Sequence, residues 1–218
     1  MWTKTIFRKM ELKNYRTLNN FINLEESKLI VDWINNIQEI DGRPNEHLLN
    51  VKKSINGKSN IFDISRSQLT QYVTKFQSIY EVLNSVPEFI NKLVLKISNE
   101  FNLPNDNVFL QVIDMNKGGI IPPHYDSSIK GYINYKCNIS VVSENYNFYI
   151  ESESINIKQY DIYCFESSLY KHWTNEFSSR RVLLSFGFII PYNLLGRCES
   201  DPRVRMSERI QKYFQKNG

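Results

Sequence analysis

The amino-acid sequence predicts an α+β protein in which a mainly helical first half is followed by a half built from short strands. From Val108 to Ile190, runs of β-branched and aromatic residues alternate with turn signals. Aromatic residues are abundant, with 13 Tyr, 13 Phe and 3 Trp, and such side chains pack well on a pleated sheet. Many short strands at close spacing are typical of a sandwich or a barrel, not of βαβ units.

Length and composition indicate a single domain, residues 1–218, with a sizeable core. The net charge of +4 favours attraction of small anionic molecules and is too mild to predict nucleic-acid binding. Three sparse cysteines form no zinc-like cluster, which favours reduced thiols in a cytoplasmic protein. No signal peptide is expected, because the first residues lead to no apolar region, and no membrane span is expected, because no apolar run is long enough.

Residues 1–105 are predicted to be mainly helical support. Asn23 can cap a first helix with Glu26 as its reciprocal partner. A polar stretch over residues 41–60, which contains His47, is predicted to be a loop and a candidate cover of an active site. Apolar residues at helical spacing predict two more helices. The second carries Leu69, Tyr72, Val73, Phe76 and Leu83, and the third begins near Pro87 and carries Ile90, Leu93, Val94, Ile97 and Phe101.

Residues 106–192 form the predicted strand-rich core. The strands are expected at Val108–Met115, Ile133–Val142, Asn147–Ile150, Ser154–Ile157, Asp161–Phe165 and Arg181–Ile190. A last helix is predicted over residues 200–216, because Asp201-Pro202 is a good helix start. Its basic residues are expected to form a solvated face, with a homodimer contact as the alternative.

Two of the three histidines lie in the strand-rich half. His124 and Asp126 are two positions apart, so in an extended chain their side chains point to the same side. His172, from a neighbouring strand, would complete a set of two imidazoles and one carboxylate. Such a face leaves metal positions open, as in non-heme Fe(II) oxygenases, although a zinc hydrolase can use the same ligands.

Arg181 separates these two interpretations. It lies nine residues after His172, at the start of an apolar strand, and Ser185 follows on the same side of that strand. A buried guanidinium is a natural partner for a dicarboxylate tail, and Ser185 can add a hydrogen bond. The alternatives are that Arg180 is the ligand, or that Arg181 forms a surface ion pair.

The segment from about Val108 to Pro191 resembles the core of the Fe(II)/2-oxoglutarate oxygenase superfamily, which shares the order His-x-Asp, distant His, then Arg. Leu110–Ile113, followed by Gly118-Gly119 and Pro123–Asp126, resembles prolyl hydroxylases, as does the start Phe21–Glu26.

The later part resembles aspartyl/asparaginyl β-hydroxylases and bacterial free-proline hydroxylases. The features that carry this resemblance are the basic strand residue Lys136 and the pattern Phe165-x-x-Ser168-x-x-x-His172.

This resemblance implies a double-stranded β-helix of jelly-roll type with helices packed on its major sheet. It implies that His124, Asp126 and His172 bind Fe(II). The cosubstrate 2-oxoglutarate would contact Arg181, Ser185 and, as weaker candidates, Lys136 and Gln111; for Lys136 the alternative is a solvent-facing strand residue.

The implied activity is hydroxylation of an unactivated C–H bond of a small molecule such as a free amino acid, with dioxygen consumed, succinate and CO2 released, and ascorbate as a stimulant. The alternatives are hydroxylation of a peptide or protein residue, and a non-catalytic cupin-like metal-binding module. A nucleic-acid demethylase of the AlkB type is disfavoured, because Gly187 stands where that family carries a second Arg.

Two positions depart from the family pattern. Met115 stands where many prolyl hydroxylases carry a cosubstrate-binding Tyr, and Tyr160-Asp161 replaces a common Gly-Asp turn. Cys137 and Cys164 are expected to be small buried hydrophobes, and His47 is expected to be exposed.

Overall fold

Two α-helices and twelve short strands make up the part of the chain that the computed structural model describes, residues 15–36, 73–79, 86–128, 131–195 and 205–206. The helices are α1 (Leu24–Asn36) and α2 (Glu88–Phe101). The strands are β1 (Tyr15–Leu18), β2 (Val73–Ile79), β3 (Val108–Met115), β4 (Ile121–His124), β5 (Ser127–Ser128), β6 (Tyr132–Val142), β7 (Tyr146–Ile150), β8 (Glu153–Ile157), β9 (Ile162–Glu166), β10 (His172–Thr174), β11 (Arg181–Pro191) and β12 (Arg205–Met206). A 3₁₀ turn, Tyr192–Leu195, follows β11.

The strands form two main sheets between which the chain passes back and forth. The major sheet has the order β1-β9-β6-β11-β3-β2, and the minor sheet has the order β4-β10-β7-β8. Successive strands from β3 to β11 cross from one sheet to the other, apart from the short β5 and the β7–β8 hairpin. This is a double-stranded β-helix of jelly-roll type, so the predicted fold class is confirmed.

The strands β3, β6, β9 and β11 of the major sheet place residues in an apolar cluster that includes both helices, and β3, β9 and β11 also place residues in a second cluster toward the minor sheet. On β11, Val182, Leu184 and Phe186 belong to an apolar cluster that includes residues of both helices. Leu183 belongs to a second cluster between the sheets. Since side chains alternate along a strand, Arg181 and Ser185 lie on the same face as Leu183. The predicted functional side chains of β11 therefore point into the space between the sheets.

Helix α1 begins with the predicted reciprocal cap. The Glu26 N–H donates to Asn23 Oδ1 at 2.9 Å, and the Asn23 N–H donates to the Glu26 carboxylate at 2.8 Å. Ser27 Oγ then donates to the Val141 carbonyl of β6 at 3.1 Å. The cap and this bond fix α1 against the major sheet.

The predicted second helix is wrong where the structure describes it, because Val73–Ile79 is strand β2, paired antiparallel with β3. The first half also supplies β1, so it provides both edge strands of the major sheet as well as α1 and α2. The open edge of β3 offers unpaired backbone groups, and pairing with it outweighs a local helical pattern. The described residues of this half, 15–36, 73–79 and 86–105, are thus less helical than predicted.

The C-terminal prediction is also corrected in part. Arg205–Met206 form strand β12, parallel to β5, where a helix was expected. The other residues of the predicted helix, the 41–60 loop with His47, and Cys198 lie outside the described residues. None of the described helices has the length and apolar character needed to cross a membrane.

The strand predictions in the second half are confirmed to within one or two residues. The strands that the sequence did not reveal there are the short β4, β5 and β10. Two to four residues are too few for an alternating pattern to stand out. Two of these short strands, β4 and β10, carry the two histidines among the metal-ligand candidates.

We expect Asn23→Ala to lower the free energy of unfolding by about 1 kcal/mol, because it leaves the Glu26 N–H without its cap. The measurement is urea denaturation of both proteins. Lys28→Ala is the matched control, since Lys28 has only an exposed ion pair with Glu25 at 3.4 Å, which contributes little. Equal stability of Asn23→Ala and the wild type would contradict the capping assignment.

Candidate functional site

Three candidate metal ligands meet between the sheets at the end of β4. His124 is the last residue of β4, and it lies directly opposite His172 on the neighbouring strand β10. Asp126 follows two residues after His124. One ligand atom from each of the three lies within 4.8 Å of the others. The predicted set is therefore brought together, by strand pairing for the two histidines and by chain proximity for Asp126.

Both imidazoles are oriented in the same way by the backbone. Nδ1 of His124 lies 2.7 Å from the Pro122 carbonyl oxygen, and Nδ1 of His172 lies 3.0 Å from the Tyr170 carbonyl oxygen. A carbonyl oxygen only accepts, so Nδ1 carries the proton in both rings. Each Nε2 is left with a lone pair that faces Asp126, and this is the tautomer that a metal requires.

Asp126 is held by the turn that follows β9. Its N–H donates to the Ser167 carbonyl at 2.9 Å. The same turn is tied to β6, because Ser168 Oγ accepts a hydrogen bond from the Asn134 N–H at 3.1 Å. Ser168 of the Phe-x-x-Ser pattern thus contributes to positioning the carboxylate.

The protonation states of the acid and of one histidine suit a metal. Burial alone would raise the pKa of Asp126, but Lys136 and the two imidazoles outweigh it and hold that pKa well below 3.8. Burial lowers the pKa of His172 to about 3. At neutral pH the site therefore offers a carboxylate and a neutral His172 imidazole, the forms that bind metals.

Arg181 is the most unusual side chain of the fold. It is 2% exposed, and its Nη2 donates to the hydroxyls of Tyr146 at 3.1 Å and Tyr163 at 3.0 Å. The rings of Tyr146 and Phe177 pack against its guanidinium carbon at 4.8 and 4.7 Å. Nε and Nη1 have no partner, and Arg181 forms no ion pair with any of the described acids.

A buried cation without an anion is costly, so this environment fits an anionic ligand. Ser185 Oγ is also buried without a partner, on the same face of β11. The other arginine is accounted for elsewhere, since Arg180 donates to both oxygens of Asp114 at 3.0 and 2.8 Å. The geometry therefore supports Arg181 and not Arg180 as the anion-binding residue.

Lys136 faces into the site and is not a solvent-facing strand residue. It is 9% exposed, and its ammonium group lies 3.0 Å from Asp126 Oδ2 and 2.7 Å from Gln111 Oε1. The structure thus brings Lys136 and Gln111 into one group with the metal ligands. All seven residues predicted for the site lie on surfaces that face the space between the sheets.

Three residues of the site were not predicted from the sequence. Tyr146 on β7 and Tyr163 on β9 offer their hydroxyl oxygens as acceptors to Arg181. Asn138 on β6 lies directly opposite Ser185 of β11, with its Oδ1 buried and unpartnered. Met115, which stands where relatives of the resembled family have a Tyr, lies directly opposite Arg181. The hydroxyls that this position lacks are supplied from β7 and β9. Alternation along those strands was the only signal for them.

Comparison with known proteins supports the fold assignment. No family model and no curated protein matches the sequence. Among solved structures, an oxidoreductase of the 2OG-Fe(II) oxygenase family from Burkholderia pseudomallei is similar over 89% of each chain, with a TM-score of 0.54 and 11% identity. The fold is that of the 2-oxoglutarate/Fe(II) oxygenases.

Two further structures have the same fold. A prolyl-4-hydroxylase from Pseudomonas putida matches 81% of this chain and 92% of its own, with a TM-score of 0.52 and 8% identity. HygX from Streptomyces hygroscopicus matches 81% of this chain and 83% of its own, with a TM-score of 0.52 and 7% identity. At such identities the likeness concerns the fold, and the chemistry of the site must be argued from its own residues.

We expect the metal-free protein to lose stability as the pH falls from about 6.5 toward 3. In this range unfolded His172 takes up a proton, whereas folded His172, with its pKa lowered from 6.5 to about 3, does not. The unfolded state then binds more protons, so stability rises with pH, by up to about 1.4 kcal/mol per pH unit from this one group.

The measurement is the free energy of unfolding of wild type and His172→Gln between about pH 4 and pH 6. The variant should show a shallower dependence on pH because it lacks the titrating imidazole. The same slope in both proteins would rule out the assigned state of His172.

Proposed function

We propose that this chain is an Fe(II)- and 2-oxoglutarate-dependent oxygenase that hydroxylates an unactivated C–H bond of a small molecule such as a free amino acid. The observation that carries the proposal is the buried guanidinium of Arg181, which has no acidic partner among the described residues. It faces the same space between the sheets as the group of two histidines and one carboxylate. Hydrolysis at a zinc site and simple metal binding do not require such a cation. A dicarboxylate cosubstrate does.

The donor set of His124, Asp126 and His172 fits iron. Two imidazoles and one carboxylate would hold the metal and leave positions for further ligands. Bound Fe(II) would supply the oxidative chemistry, in which dioxygen is consumed and 2-oxoglutarate is converted to succinate and CO2. Retention of Asp126 favours hydroxylation, because oxygenases of this type that halogenate leave the carboxylate position open.

The cosubstrate tail would lie against β11. Arg181 offers Nε and Nη1, and Ser185 offers its hydroxyl, so a carboxylate there would find donors that are otherwise unused. Tyr146 and Tyr163 orient the guanidinium by accepting hydrogen bonds from its Nη2. HygX, which has the same fold, was solved with nickel and 2-oxoglutarate bound. This supports a divalent metal together with 2-oxoglutarate in the proposed site.

Aromatic rings pack around one of the candidate metal ligands, His172. Phe165 packs on the His172 ring with centroids 4.7 Å apart, and Phe148 packs on Phe165 at 4.8 Å. These rings limit the motion of the His172 imidazole and shield it from water. The two backbone carbonyls that accept from Nδ1 hold the imidazoles in their metal-binding tautomer.

We expect Arg181→Met to weaken 2-oxoglutarate binding by about a hundredfold or more, since the variant removes the charge that matches the distal carboxylate. The measurement is anaerobic titration of the Fe(II) protein with 2-oxoglutarate, followed by visible charge-transfer absorption. Arg180→Met is the matched control, because Arg180 pairs with Asp114, and it should bind as the wild type does. If the wild type showed no binding, a metal-binding module would be the better interpretation.

We also expect His124→Ala and Asp126→Ala to weaken metal binding by about a hundredfold or more and to abolish succinate release. Equilibrium dialysis with Mn(II) measures the first effect without turnover. Asp106→Ala, which removes an exposed carboxylate outside the ligand group, should leave both properties unchanged. Succinate release by either ligand variant would refute the assignment of the metal site.

A further inference from the structure

Lys136 presents a second buried cation in the site, and it is separate from Arg181. On β11, Arg181 lies opposite Met115 of β3, whereas Lys136 lies opposite Gly187, six residues farther along. At ~3.3 Å per residue the two backbone positions are roughly 20 Å apart. Arg181 contacts tyrosine hydroxyls, and Lys136 contacts the metal ligand Asp126 at 3.0 Å. The two cationic groups therefore contact different parts of the site.

The charges of the proposed complex leave Lys136 without a counterpart. A divalent metal is balanced by Asp126 together with the metal-bound carboxylate of 2-oxoglutarate. Arg181 is balanced by the distal carboxylate. Lys136 then remains as a positive charge that is 9% exposed, and Asp126, already shared with the metal, is its one ion-pair partner among the described residues. An unbalanced buried charge is costly, so a third anionic group is expected.

Gln111 completes a place for that group. Its Oε1 accepts from Lys136 at 2.7 Å, so its amide N–H groups remain as donors beside the ammonium. An ammonium and a primary amide side by side offer two hydrogen bonds to the two oxygens of one carboxylate. A neutral peptide carbonyl could accept a hydrogen bond from this pair but would not balance the charge of the ammonium group.

The neighbouring wall is apolar. In the major sheet Lys136 lies between Phe165 of β9 and Gly187 of β11. A side chain at Gly187 would overlap the ring of Phe109, so the glycine makes room for that ring. Phe109 and Phe165 are 3% and 1% exposed. A ligand held by Lys136 would therefore lie near aromatic side chains and away from other charged groups of this row of the sheet.

We propose that Lys136 and Gln111 bind the carboxylate of the primary substrate, and that the substrate is a small carboxylic acid with a compact apolar body, such as an aliphatic or cyclic amino acid. This rests on the proposed function and narrows it. An internal residue of a peptide, which has no carboxylate at its backbone, is disfavoured.

Calorimetric titration of the Mn(II) protein saturated with 2-oxoglutarate tests this without turnover. The probes are L-alanine, L-valine, L-leucine, L-isoleucine and L-proline, each beside its carboxamide. We expect at least one acid to bind the wild type about tenfold more tightly than its carboxamide, as a charge-assisted hydrogen bond predicts. Lys136→Met should lose that preference, and Gln111→Leu should reduce it by about threefold while leaving the charge in place.

The control variant is Lys158→Met, which removes an exposed lysine and should behave as the wild type does. Affinity for 2-oxoglutarate is measured in Lys136→Met and in Arg181→Met, and the loss in Lys136→Met should be much the smaller, about tenfold or less against about a hundredfold. Equal losses in the two variants would overturn the proposal, because the carboxylate held by Lys136 would then be that of the cosubstrate. Equal binding of acids and carboxamides, or no binding of any acid, would also overturn it. Failure of the proposed function itself would appear separately, as absence of 2-oxoglutarate binding to the wild type.

Discussion

Strand β11 is hydrogen-bonded along most of its length to β3 on one side and to β6 on the other, and most of its side chains are therefore confined to one of two buried faces. Side chains on one face pack on the helices, and those on the other look into the space between the sheets. A shift of one residue in either pairing would exchange the two sets and bury Arg181 in the helix-facing core. The register of β11 is the constraint on which both the core and the site depend.

The minor sheet positions two of the candidate metal ligands. Pairing of β4 with β10 sets His124 opposite His172, and the turn after β9 holds the main chain of Asp126. Neither imidazole relies on a distant side chain for its orientation, since each donates to a carbonyl two residues earlier in its own strand or turn. The ligand set is thus fixed by backbone geometry, which preorganises it for a metal.

The hydroxyl groups beside Arg181 come from two strands that do not pair with β11. Met115 contributes apolar volume opposite Arg181, and Tyr146 and Tyr163 approach the guanidinium from β7 and β9. At the turn before β9, Tyr160 adopts φ of 73° at a position that favours glycine. Its carbonyl accepts from the N–H groups of Phe21 and Ile22, and its own N–H donates to Ser140, so surrounding bonds maintain the strained backbone.

The sequence by itself determined the class of fold, the longer strands of the second half, the cap of α1 and the choice of His124, Asp126, His172 and Arg181 as candidate site residues. Each of these is written locally, as an alternating pattern, a capping pair or a spacing of rare histidines. Only the tertiary structure decided that Val73–Ile79 is a strand, that Lys136 faces Asp126, and that two tyrosines and Asn138 belong to the site. These depend on which strand lies beside which, and a pairing between residues far apart in the chain leaves little trace in the local sequence.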